Sequence, residues 1–127
     1  FSLLDYKWNA NFDESKDFIK KITLSALKNG IPNGVVLNVN IPSVDKSEIK
    51  GIKICRQANA FWDEEFDKRK NPLGQEYYWL TGKFVNKDKG EDTDEWALNQ
   101  NYISIVPVKF DLTAHHAIQD LNEWSFK

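Results

Sequence analysis

An α/β sheet is the fold this sequence predicts, and three observations point there. Residues 1–4 form a short apolar run, Phe1-Ser2-Leu3-Leu4. A helical stripe follows, and after it comes the β-branched run Val35-Val36-Leu37-Asn38-Val39-Asn40-Ile41. Strand, helix and strand in that order make a βαβ unit over residues 1–41.

The elements follow in order. Residues 5–11 read as loop. Asn11 with Glu14 resembles a capping box, and Asp13 and Glu14 suit a helix N-terminus. Phe18, Ile19, Ile22 and Ala26 recur at helical spacing, with the lysines largely outside the stripe. Asn29-Gly30 and Pro32 end the helix. The run 35–41, bounded by Gly34 and Pro42, reads as an interior strand of a covered sheet, with Asn38 and Asn40 sharing one face. Residues 43–50 are a polar loop, and 51–56 alternate as another strand. Residues 57–75 show no clear period and carry a charge cluster from Asp63 to Lys70, with Pro72 and Gly74 marking a turn. Glu76 to Leu80 is an aromatic strand, and Lys83-Phe84-Val85 beyond Gly82 is expected to pair with it. Residues 86–92 read as exposed loop. Thr93 caps a short helix through Asn99. Tyr102 to Val108 is a strand whose Pro107 marks an edge or a strand end. Asp111 or Thr113 caps a last helix with the stripe Ala114, Ala117, Ile118, Leu121 and Trp124.

Composition narrows the function. The chain has 127 residues, 17 basic and 19 acidic side chains and a formal charge of −2. One ordinary domain is the expectation. Coating a nucleic-acid polymer or an anionic membrane requires a basic surplus, so neither partner is expected. The single Cys55 has no internal disulfide partner, and a reducing, cytoplasmic setting is the expectation. No leader is expected from the first residues. With no Met at all, the chain is expected to be a piece of a longer protein.

Few groups offer chemistry. No nucleophile elbow or phosphate-binding glycine loop occurs. Glu91-Asp92-Thr93-Asp94-Glu95 is the best local acidic run for a hard cation. It fails the calcium-hand pattern, since Gly90 falls one position early and Ala97 stands where a bidentate Glu belongs. Its ordinary reading is a solvated loop with helix-capping charge. Asp111 and His115 are four apart, where a carboxylate–imidazole hydrogen bond forms as a packing anchor or, less simply, as an acid–base pair. The five Trp and four Tyr sit mostly at core-like spacings. The alternative is a carbohydrate- or ligand-binding module that uses them on its surface.

Read in order, the strand motifs resemble a known family. Leu37-Asn38-Val39-Asn40-Ile41-Pro42, Gly51-Ile52-Lys53-Ile54 with Arg56, Pro72-x-Gly74 before Tyr78-Trp79-Leu80, Thr93-Asp94, Gln100 to Pro107, and Asp111-Leu112-Thr113-Ala114-His115 resemble the second half of the SurE survival-protein nucleotidases. The resemblance implies the C-terminal portion of a doubly wound, Rossmann-like α/β sheet with a projecting β-hairpin and a C-terminal helix. It implies a parent phosphatase that uses Mg or Mn to hydrolyse nucleoside 5′- and 3′-monophosphates. The family's Asp-Asp metal pair has no counterpart here, because no two aspartates are adjacent. This chain is therefore expected to bind no metal and to be inactive alone. Single-domain organisation over 1–127 is expected, with a βαβ portion at 1–56, an oligomerisation region at 57–92, and a strand and helix at 93–127. Asp92, Thr93 and Asp94 are expected to face substrate in the parent. Tyr78, Trp79, Asp111, His115, Ile118, Leu121 and Trp124 are expected to build a dimer or tetramer.

Overall fold

A computed structural model describes residues 1–126; Lys127, the last residue of the 93–127 segment, lies outside the described residues. The βαβ unit is present. Strand β1 (Ser2–Leu3) and strand β2 (Val35–Ile41) are parallel neighbours, with Ser2 opposite Asn40 and Leu3 opposite Ile41. Helix α1 (Lys16–Asn29) connects them, preceded by a 3-10 turn at Asp13–Ser15. Strand β3 (Gly51–Ile54) and strand β6 (Tyr102–Lys109) complete a four-stranded sheet in the order β1-β2-β6-β3. β6 runs antiparallel to β2 and parallel to β3.

Alternation along the strands sorts the core into two layers. Val39, Ile41, Ile103 and Ile105 pack with Ile22 of α1 on one face. Val106 and Cys55 pack with Ala97 of helix α2 (Asp94–Asn99) on the other. Helices on both sides of one sheet are the doubly wound arrangement. Strands β4 (Ala60–Lys70) and β5 (Glu76–Asn86) form a separate antiparallel hairpin. Helix α3 (His115–Asn122) comes last and buries none of its residues.

Five details correct the sequence reading. The stretch 57–75 holds an 11-residue strand, and β5 runs unbroken through Gly82. The partner of 76–80 is therefore 66–70 and not 83–85. The hairpin hides neither face, so its side chains need no simple alternation and the pattern was invisible. Asn11 accepts the Asp13 N–H at 2.9 Å, and no side chain caps α1. The capping box lies instead at Asp45 and Glu48. Neither Asp111 nor Thr113 caps α3; Ala114 occupies that position, and Trp124 lies beyond the helix. Pro107 sits on an interior strand, but beyond the last β3–β6 pair at Ile54 and Ile105, so its missing N–H breaks no ladder on that side. Within the loop 86–92, the Asp88 side chain is only 12% exposed.

Candidate functional site

Polar groups converge where β3 ends. Arg56 and Thr93 form a bridge: the Arg56 N–H donates to Asp92 O at 3.1 Å, and the Asp94 N–H donates to Arg56 O at 3.0 Å. The Arg56 guanidinium donates from Nη1 and Nη2 to the two oxygens of Asp88, at 2.6 and 2.9 Å. Its Nε donates to Asp92 Oδ2 at 2.8 Å. Asp88 also accepts the Asn59 and Gly90 N–H groups at 3.1 and 2.9 Å. Arg56 and these amides hold the Asp88 carboxyl well below the usual carboxylate range. Arg56 likewise lowers Asp92, and the two carboxylates raise Arg56 further.

The three expected substrate-facing residues are together in this cluster, each with a structural partner. Thr93 is 1% exposed; its Oγ1 accepts the Trp96 N–H at 3.2 Å and donates to Gly90 O at 3.0 Å. Asp94 Oδ1 accepts the Ala58 and Glu95 N–H groups at 2.8 and 2.9 Å. Burial, then the neighbouring Asp94, raises the Glu95 carboxyl.

Strand direction adds a second location, which sequence reasoning missed. In open α/β sheets ligands gather outside the carboxyl ends of the parallel strands. β1 and β2 point one way, β3 and β6 the other. The Arg56 cluster therefore marks the carboxyl end of β3. At the opposite edge, the carboxyl ends of β1 and β2 open into a cavity of about 250 Å³ lined by Asp5, Asn11, Glu14, Ser15, Ser43 and Asp45. The sheet face bearing α2 also carries a row in register, Ser2, Asn40, Ser104 and Lys53. Ser104 is fully buried, and its hydroxyl has no hydrogen-bond partner among the described residues. Asparagines in mid-strand at 38 and 40 were the sequence signal for this polar row, since Asn is depleted from strands.

Tyr78 and Trp79, adjacent in sequence, lie on opposite faces of the hairpin. Tyr78 shares its face with Trp62, Phe66, Leu80 and Phe84. Trp79 shares the other with Asp67 and Arg69, whose guanidinium lies 5.9 Å from its ring centre. His115 Nε2 lies 2.7 Å from Asp111 Oδ2, the expected carboxylate–imidazole pair. Ile118 and Leu121 of α3 and Trp124 beyond it are all exposed.

The family model described as Survival protein SurE matches residues 1–64. The chain belongs to the SurE family. It is 70% identical over 125 residues to a protein named 5′-nucleotidase SurE from Christiangramia forsetii, covering 98% of this chain and 48% of that one. The protein of the same name from Flavobacterium psychrophilum is 67% identical over 124 residues, covering 98% and 48%. The crystal structure of the SurE protein from Aquifex aeolicus superposes with a TM-score of 0.78 at 34% identity, covering 96% of this chain and 49% of that one. The chain spans about half the length of the curated relatives it matches.

A divalent cation that hydrolyses phosphoesters needs carboxylate oxygens free to ligate it. In this SurE chain Asp88 gives both oxygens to Arg56, Asp92 gives it one, and Asp94 turns one toward backbone N–H groups. Among the described residues no three His, Cys, Asp or Glu side chains gather as a metal set. The residues here do not fit the hydrolytic metal that the family resemblance implies, so no catalytic step is assigned to them.

Proposed function

We propose that this chain is the C-terminal half of a SurE nucleotidase, a cytoplasmic phosphatase that hydrolyses nucleoside 5′- and 3′-monophosphates with Mg or Mn. In this reading the metal ligands belong to the other half. The 127 residues form one domain that completes the sheet and builds the oligomer. The observation that carries the reading is the high identity along nearly the whole chain to proteins named 5′-nucleotidase SurE, over about half their length.

Assembly is supported by surfaces that this domain leaves uncovered. Tyr78 and Leu80 are 59% and 57% exposed on a hairpin face that also carries Trp62, Phe66 and Phe84. Contiguous apolar patches of this kind mark partners. The α3 stripe of Ile118 and Leu121, with Trp124 after it, is the second such surface, and Asp111 with His115 fixes the turn that leads into it. Trp79, on the charged face of the hairpin, contributes at the rim. Asp92, Thr93 and Asp94 border the substrate cleft of the intact enzyme, with Asp92 and Asp94 on its side.

Phosphate release from a nucleoside monophosphate, measured with Mg or Mn, tests the activity. The 127-residue chain is expected to show none, and the longer protein to turn over at enzymatic rates. Metal-dependent turnover by the chain alone overturns the division of labour. Light scattering tests assembly: the chain is expected to be a dimer or tetramer, and truncation after Phe110 to lower the mass per particle. A monomeric chain, or an unchanged particle after truncation, overturns the role given to α3.

A further inference from the structure

The hairpin is tied to the sheet at its root, by Arg56 and a few backbone N–H groups, and hardly by packing. β4 and β5 pair along their full length, yet neither packs substantially on the sheet or on a helix. Both roots of the hairpin instead meet at Arg56, two residues beyond β3. On the outgoing root, the Asn59 N–H donates to Asp88 Oδ2 at 3.1 Å, and the Ala58 N–H to Asp94 Oδ1 at 2.8 Å. On the returning root, the Lys87 N–H donates to Asn59 O at 3.1 Å, and Asp88 receives the guanidinium fork. The third guanidinium contact, to Asp92, reaches the segment that enters α2.

We propose that Arg56, Asp88 and Asp92 form a directional lock that sets the angle at which the hairpin leaves the sheet. A forked guanidinium–carboxylate pair holds two parallel hydrogen bonds in one plane, so it constrains orientation as well as distance. A third contact from Nε to a different carboxylate removes rotation about the axis of that fork. The loop closes tightly on the group: a Cβ at Gly90 would stand 2.5 Å from both Arg56 Nη2 and Asp92 Oδ1.

The lever is long. Eleven residues of antiparallel strand reach about 36 Å, so a root error of about 10° moves the tip by roughly 6 Å. Any surface on this ribbon is placed only as accurately as its root. The lock goes beyond the assembly reading, because it acts within one chain whether or not a second copy binds.

Electron–electron spin distances test it in the full chain. Nitroxides are placed at Lys28→Cys on α1 and Lys70→Cys at the end of β4, both exposed, in a Cys55→Ala background. Excess unlabelled chain removes distances between copies. A single narrow distribution is expected for the background. Arg56→Lys should broaden it roughly twofold, because an ammonium supplies the charge without the fork. Asp92→Ala, which removes only the Nε partner, should broaden it less and keeps the test available if the arginine variant does not fold. A control pair, Lys28→Cys with Lys109→Cys, should stay narrow throughout. Unchanged widths in the folded variants overturn the lock. Equal broadening of the control pair also overturns it, since that result means general loosening.

Discussion

The sheet and the hairpin are both β-structure, but they are held by different forces. In the sheet, Ile103 is enclosed completely, with Val39 and Ile41 at 2% exposure beside it. In the hairpin no residue of β4 or β5 is buried. Burial of apolar surface stabilises the first by about 1.5–3 kcal/mol per large side chain. The second has backbone pairing, cross-strand contacts such as Lys68 with Glu76 at 2.8 Å, and the Arg56 lock. A two-stranded ribbon of this kind is marginal in water. The contrast implies a stable platform carrying an arm whose order depends on its root and on whatever covers its apolar face.

The sharpest way to break the contrast is to attack the platform. Ile103→Ala removes a side chain packed among Ile22, Val39, Ile41 and Ile105, and should cost about 2–5 kcal/mol. Chemical denaturation should show the whole chain losing stability, arm included. A loss confined to a few tenths of that range would mean that the two-layer core is not the source of stability.

Gly82→Ala attacks the arm alone. Gly82 has φ +148°, and a Cβ there would stand 2.6 Å from Trp62 Nε1 and closer still to the Asp63 carbonyl oxygen. Backbone strain of this kind costs about 1–3 kcal/mol. Amide exchange should accelerate across β4 and β5 while β2 and β6 keep their protection. Equal acceleration in β6 would refute the independence of the two regions.

The same contrast explains what was legible in the sequence. Elements with one buried side announce themselves: Phe18, Ile19 and Ile22 mark α1, and Val39 with Ile41 marks β2, because only one face must be apolar. β4 has no buried side, so Asp63 to Lys70 read as a charge cluster. At the Arg56 cluster, Thr93 was legible as a helix cap because capping is local. The pairing of Arg56 with Asp88 spans 32 residues and depends on how the loop folds back, which no spacing rule carries. The orphan hydroxyl of Ser104 was hidden for a similar reason, since only strand order shows that the residue is enclosed.

A smaller effect is expected at the junction between the two regions. Thr93→Ala removes the oxygen that accepts the Trp96 N–H, and should cost about 0.5–2 kcal/mol. Thr93 also bonds Gly90 O, so the loop carrying Asp92 should lose protection from exchange together with α2. Thermal unfolding gives the first quantity and amide exchange the second. If α2 alone responds, the cap and the lock are not coupled, and the junction is two separate devices.

The smallest effect lies in the segment leaving the sheet toward α3, which shares the hairpin's exposure. His115 hydrogen-bonds Asp111, and the side-chain and backbone groups of Thr113 add to it; together they pull the Asp111 carboxyl down to about 2. A depressed carboxyl favours the folded turn above the usual carboxylate range, and that contribution is lost as pH falls through about 2. The turn should therefore stay closed through mild acid. Carboxyl-carbon NMR should give Asp111 a midpoint of about 2, and His115→Gln should raise it toward the ordinary carboxylate range, because His115 is the largest cause of the depression. Global stability should hardly move, because both side chains are largely solvated. A wild-type midpoint in the ordinary carboxylate range would show that the pair does not persist in solution. The turn into α3 would then be as loosely held as an arm without its lock.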